Sequence, residues 1–232
     1  MFGKAGGFGG LSQLCTIGQG GAMTVQMIQN EADVALGTEW LCRVEPRFAN
    51  ISSLTGPWPL RRREDGFDAL RDAILGQQVS VAAATAIRGK LIAAGLAQRN
   101  SIAATTPEAL RACGVSRPKA RYLLALAQSD VNFFALRDLP DAEVYAQLLP
   151  IPGIGRWTVE MYLMFALGRA DVFAVDDLAL AEAARLVFDL KNRPRPREFL
   201  QMALPWSPWR SVAARGLWAF YAYHKKREGV AP

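Results

Sequence analysis

The sequence predicts an all-α protein. Three observations carry this expectation. Apolar residues recur at three- and four-residue intervals along most of the chain, alternating strand-type runs are nearly absent, and Gly, Pro and cap-type Ser, Thr and Asp residues punctuate the helical stretches. At 232 residues the chain buries a real core and suits one domain or two interlocked lobes.

The elements follow in order. Residues 1–22 are glycine-rich and read as a flexible tail, with Met23 as an alternative start and a helical domain over 23–232. "ADVALGTEWLCRV" places Val34, Leu41 and Val44 on one face with Trp40 beside them, and it stops before Pro46. "TGPWPLRRRED" is a proline-broken basic loop. "GFDALRDAILG" spaces Phe67, Leu70 and Ile74 for one helical face. "GQQVS" interrupts, and Ser80 caps the next helix, "VAAATAIRGKLIAAG". "TPEALRACG" and "SRPKARYLLALAQS" are two helices joined at Gly114, with Thr106 and Ser116 as caps and Pro107 and Pro118 near the starts. "DAEVYAQLLP" ends at Pro150. "RWTVEMYLMFALG", apolar nearly all round, is a central buried helix closed by Gly168. "DVFAVDD" connects to the helix "LALAEAARLVFDL", and "REFLQMALPW" and "SPWRSVAARGLWAFYAYHKKR" complete the chain.

Composition excludes several chemistries. Hydrophobic residues make up 51% of the chain, yet no apolar run has membrane-spanning length, and the opening lacks a continuous signal core. Cys15, Cys42 and Cys113 are odd in number and widely spaced, which fits reduced thiols and a cytoplasmic location. With His224 the only histidine and no CxxC, zinc hydrolysis, zinc-dependent base deamination and cysteine-ligated iron–sulfur clusters are disfavoured. A net charge of +6 and a pI near 9.5 favour a polyanionic partner, although composition alone fits a plain basic protein as well.

The most informative stretch is "AQLLPIPGIGRWTVEMYL", a helix, a tight turn and a second helix over about 143–167. Pro150 and Pro152 stop the first helix, while Gly153 and Gly155 permit positive φ and a close backbone approach. The next helix begins with unpartnered amides at the positive end of its dipole, which suits an anion. No Lys-Ser/Thr follows and no strand precedes, so neither a P-loop nor a dinucleotide fingerprint fits. A DNA phosphodiester does, with an ordinary αα-hairpin as the alternative. Twenty residues beyond Trp157 stand Asp176 and Asp177 at a helix start, where Asp commonly caps.

"LPIPGIGRWTVEMYLMFALGRADVFAVDD" resembles the signature of the helix-hairpin-helix DNA glycosylases, and within them is most similar to the DNA-3-methyladenine glycosylase II (AlkA-like) branch. The resemblance extends to "FDALRDAILGQQVSVAAATA", "LRACGVSRPKARYLLALA" and "SPWRSVAARGLW", covering about residues 31–220 in the family's order. It implies a two-lobed helical fold with a cleft between the lobes. Only about thirty residues precede the match, too few for the β-rich domain of longer relatives.

The same resemblance implies roles. Asp177 matches the catalytic carboxylate, leaving Asp176 as cap or support. A flipped, alkylated purine (of the 3-methyladenine or 7-methylguanine type) would be released by hydrolysis, with Asp177 stabilising the sugar cation and orienting water. Trp157 and Trp218 match the tryptophans of the base pocket, where an indole face attracts a cationic base by roughly 0.5–2 kcal/mol. Glycosylases that also cut the strand carry lysine at the position of Trp157, so this chain is expected to be monofunctional. Gln78 occupies the wedge position, with Gln77 beside it; glutamine is a less apolar wedge than the leucine frequent in the branch. The amides of Gly153, Ile154 and Gly155 would meet the DNA backbone, with charge added by Arg117, Lys119 and Arg156. The carbonyls of Leu149, Ile151 and Ile154 would hold a structural Na or K ion; no other cofactor is implied. The expected partner is double-stranded DNA containing alkylated bases, bound by a monomer without a membrane. Two other readings are a non-catalytic helix-hairpin-helix protein that binds DNA structure or damage, and a glycosylase for oxidised or mismatched bases, which Trp157 and the missing cluster cysteines disfavour.

Overall fold

The computed structural model describes residues 26–227. The glycine-rich tail 1–22, the Met23 start and Cys15 lie outside the described residues. Within them, twelve α-helices are joined by short loops: α1 (Glu31–Val44), α2 (Arg47–Thr55), α3 (Phe67–Gly76), α4 (Val81–Ala93), α5 (Arg99–Ala103), α6 (Pro107–Ala112), α7 (Arg117–Gln128), α8 (Asp141–Leu148), α9 (Arg156–Met161), α10 (Leu178–Val187), α11 (Pro196–Ala203) and α12 (Arg210–Arg227). No helix among them is long and apolar enough to cross a membrane.

The chain forms two lobes. The first and last parts of the described chain pack together, α12 lying against α1, α2 and α10. The middle forms the other lobe, where α3 packs on α4 and α7, and α5 and α6 cover α7. The hairpin of α8 and α9 leads into the helix that joins the lobes. That helix widens from α-type to π-type over Tyr162–Leu167 before Gly168 closes it at φ 78°. All six π-turn residues are buried, as the apolar sequence requires. A π-turn is uncommon and concentrates at functional sites. Here it touches α3 and places Phe165 beside the interlobe cleft.

Local signals account for most boundaries. Ser80 accepts from Ala83 N at 3.2 Å and Thr106 from Ala109 N at 3.3 Å, so both cap as expected. Ser116 sits at the start of α7 without a side-chain cap bond. Gly114 turns between α6 and α7 at φ 90°.

Two helices go beyond the expected set, α2 and α5. The α2 sequence "RFANISSLT" is rich in Asn, Ser and Thr, which have modest helix propensity. Tertiary packing overrides that preference: Phe48 lies edge-on to Trp58 at 5.9 Å and to Trp206 at 5.3 Å. On α1, Val34 and Leu41 are buried as expected, whereas Val44 is 45% exposed. Gly37 takes the buried place, because a Cβ there would stand 2.7 Å from the Trp209 side chain. The face of α1 is therefore set by the close approach of Trp209. Trp58, Trp206 and Trp209 are all core residues.

Candidate active site

A cavity of about 590 Å³ opens in the cleft, within the roughly 300–1,000 Å³ typical of small-molecule sites. Its wall draws on α3 (Asp72, Ala73, Gly76), the interrupting turn (Gln77, Gln78), α9 (Trp157, Met161), the π-turn (Phe165), Asp177, Trp218 of α12, and two arginines, Arg61 and Arg63. Both lobes contribute, so the site exists only in the folded chain.

Asp177 is the sole carboxylate of this wall without a salt bridge; the other, Asp72, pairs with Arg71 and Arg88. Three N–H groups converge on Asp177. Trp157 Nε1 donates to Oδ2 at 2.9 Å, Trp218 Nε1 to Oδ1 at 3.2 Å, and Leu180 N to Oδ1 at 2.9 Å. The last bond makes Asp177 the N-cap of α10, so the cap is Asp177 itself rather than Asp176, which stays exposed. Capping needs a carboxylate oxygen over the first turn, and the two indoles then fix the plane of the group. The two tryptophans thus turn their N–H edges to the carboxylate as well as lining the cavity. Trp218 leans on Phe165 with ring centroids 5.7 Å apart.

The hairpin has one strained glycine, not two. Gly153 takes φ 87°, and a Cβ there would overlap the Tyr122 ring, so glycine is required on both counts. Gly155 departs from the expectation of positive φ: it sits at φ −90° as the N-cap of α9, with open space where a Cβ would point. That space faces outward and leaves the α9 amides approachable. Ile151 O accepts from Ile154 N at 3.1 Å, whereas among the described residues no backbone N–H donates to the carbonyls of Leu149 or Ile154. These oxygens suit a monovalent cation.

Several expected DNA-facing side chains have partners inside the protein. Gln77 Nε2 donates to Gly153 O at 2.8 Å, tying the interrupting turn to the hairpin. Gln78 remains exposed at the cavity, held at φ 55°. Lys119 Nζ donates to Leu75 O at 2.7 Å, satisfying a carbonyl at the end of α3, and burial lowers its pKa. Arg156 Nε binds Glu160 Oε1 at 2.9 Å, while Arg117 stays exposed. Glu160 is fully buried, and burial raises its carboxyl to about 7 despite the opposing hydrogen bond from Arg156.

Sequence reasoning missed Arg61, Arg63, Glu160 and Arg215. Two had a signal. Glu160 follows Arg156 at i+4, the spacing of a helical ion pair, and Arg215 is a lone charge inside the apolar run "SVAARGLWAF". Arg215 is 1% exposed and donates only to carbonyls: Leu60 O at 3.3 and 3.2 Å, Met164 O at 3.3 Å and Ser211 O at 2.8 Å. Its guanidinium also lies 4.9 Å from the Phe165 ring centre, supporting the aromatic pair beside the cavity.

The helical hairpin and the helix-capping aspartate of the cleft both fall within a stretch that matches a class of base-excision DNA repair proteins. The chain belongs to the HhH-GPD superfamily of base excision DNA repair proteins, whose family profile matches residues 72–208. It is 26% identical to the alkylbase DNA glycosidase-like protein mag2 of Schizosaccharomyces pombe over 86% of this chain and 99% of that one. It is 31% identical to DNA-3-methyladenine glycosylase 1 of the same yeast, over 77% of this chain and 83% of that one. The solved structure of S. pombe 3-methyladenine DNA glycosylase (Mag1) in complex with abasic DNA superposes with a TM-score of 0.68 at 30% identity, covering 79% of this chain and 95% of that one.

Proposed function

We propose that the protein is a monofunctional DNA glycosylase that extrudes an alkylated purine nucleotide and hydrolyses its N-glycosidic bond. The observation that carries this reading is the Asp177 carboxylate, oriented by two indole N–H groups in a cavity between the lobes. As the bond from the sugar C1′ to the base breaks, its electrons leave with the base. An alkylated purine is already cationic and departs neutral. The sugar becomes oxocarbenium-like, and the nearby negative charge of Asp177 stabilises it. Water then bonds to C1′ and gives up a proton, which Asp177 accepts or passes to solvent. The products are a free base and an abasic site.

The cavity lining supports hydrolysis without strand cleavage. It contains no lysine, so no lining amine is available for a Schiff base with the opened sugar. The faces of Trp157, Trp218 and Phe165 supply electron-rich surface for a cationic base. DNA is the partner this family and the DNA complex of the relative support. The hairpin amides would meet a phosphate, and the free carbonyls of Leu149 and Ile154, with Ile151, would hold a Na or K ion that links the hairpin to it.

The test is release of 3-methyladenine and 7-methylguanine from methylated DNA by the parent protein and by Asp177→Asn. The parent should release free base and leave strands that break only on alkaline treatment. Asp177→Asn should release none while binding abasic duplex within a few-fold of the parent. Undiminished excision by the variant would overturn the catalytic assignment; DNA binding by a parent that releases no alkylated base would favour a non-catalytic damage-binding protein.

A further inference from the structure

The basic run "RRRED" is not absorbed by the roles above, and the fold gives it a defined place. Residues 60–63 cross the π-turn as a strap. Arg63 N donates to Phe165 O at 2.9 Å, and the buried Arg215 holds Leu60 O from beneath. Between these anchors Arg61 adopts φ 51°, a left-handed conformation costly for a residue with a Cβ. Arg62 turns against Gly168, away from the cavity, whereas Arg61 and Arg63 line it together with Asp177, Trp157 and Gln78.

Arg61 and Arg63 are exposed and, among the described residues, have no carboxylate partner. Of the nearby acids, Asp72 pairs with Arg71 and Arg88 and Asp65 with Arg137, while Asp177 on the same wall is held by the two indole N–H groups and forms no salt bridge. Glu64 does not line this cavity. Positive charge accumulates here: the charges of Arg61 and Arg62 add to burial in lowering Arg215 to about 10. Unpaired guanidiniums held on a strained, anchored strap at the rim of a site form a receptor for an anion.

We propose that Arg61 and Arg63 form a phosphate grip, binding the backbone oxygens beside the extruded nucleotide as a second DNA contact separate from the hairpin. Phosphate fits better than the base itself. Both side chains stand in solvent, where a guanidinium gains little from a neutral base, and they would repel a cationic one. A phosphodiester is always present beside a flipped nucleotide and matches the guanidinium fork. The assignment rests on the glycosylase reading, but its test does not require base release.

The experiment is equilibrium binding of the full chain to a duplex with a stable abasic analogue, across a salt series. The Arg61→Ala/Arg63→Ala pair should bind at least about tenfold more weakly, and the slope of log affinity against log salt should fall by about 1.8, or about 0.9 per phosphate contact. Arg61→Lys/Arg63→Lys should restore most of the slope. Should the alanine pair fail to fold, as judged by thermal melting, Arg61→Gln/Arg63→Gln carries the same measurement. Unchanged affinity and slope would overturn the grip, and so would a loss of excision rate at unchanged affinity, which would place the arginines on the base. A parent that releases no base yet shows the expected slope change sinks the glycosylase reading alone.

Discussion

The indole N–H of Trp157 and the Oδ2 of Asp177 lie 2.9 Å apart, joining the first turn after the hairpin to the cap of α10 across twenty residues of sequence. This bond, with its counterpart from Trp218, determines where the carboxylate points. A carboxylate that only capped a helix would be free to rotate toward solvent on its second oxygen. Here that oxygen is held in the cavity, where developing positive charge on a sugar would meet it.

Replacing one indole by phenyl tests this orienting effect. Trp218→Phe keeps a smaller aromatic ring beside Phe165 and removes the pyrrole part of the indole with the N–H that reaches Asp177 Oδ1. A hydrogen bond to a charged group contributes about 1.5–3 kcal/mol, so single-turnover excision should fall by about tenfold or more. Affinity for abasic duplex should hardly change. An unaltered rate would show that the N–H bond does not matter to the reaction.

Asp177 should separate stability from chemistry. Asn caps a helix about as well as Asp, so Asp177→Asn should keep the bond from Leu180 N, giving up only the Trp157 N–H bond at the second oxygen, while losing base release. Asp177→Ala loses the bond to Leu180 N as well, and should lower stability by about 1 kcal/mol. Equal melting temperatures for the two variants would argue that the cap contributes nothing.

The two hairpin glycines should respond in opposite ways. Gly153→Ala meets both a left-handed backbone and the Tyr122 ring, and should destabilise the protein by roughly 2 kcal/mol or more, read by denaturant unfolding. Gly155→Ala places its methyl in open space at an ordinary φ and should fold normally. Its effect should appear instead as weaker DNA binding, because the methyl projects where a phosphate would approach. Normal DNA affinity in this variant would argue against backbone contact at that amide.

Glu160 predicts a pH dependence of stability. Its carboxyl stands at about 7 in the folded chain against an ordinary value of 4.5. Between those values the folded state holds a proton that the unfolded state releases. The contribution is therefore complete below about 4.5 and is lost as pH rises toward and through 7. The upper limit is roughly 3 kcal/mol. Glu160→Gln removes the titration, so its melting temperature should gain on the parent's as pH rises from 4.5 to 8. A difference independent of pH would show that burial does not perturb this group.

Local chemistry along the chain was enough to determine much of this protein. Ser80, Thr106, Gly114 and Gly168 act within a few residues of themselves, so they announce helix ends regardless of what packs nearby. The hairpin glycines, Trp157 and Asp177 likewise stand in a pattern whose order along the chain marks the family. Tertiary structure decided the rest. Whether Gly37 or Val44 enters the core depends on Trp209, more than 160 residues away. That Asp177 is both cap and cavity carboxylate depends on Trp218, which arrives from α12. The three arginines of "RRRED" are identical letters, yet Arg62 packs on Gly168 while Arg61 and Arg63 face the cavity. Their directions follow from the anchoring of Leu60 by Arg215 and of Arg63 by Phe165, contacts between distant segments. Caps and turns are short-range and legible in sequence, whereas the direction of a charge in a cleft is set by surfaces that meet only when the lobes close on one another.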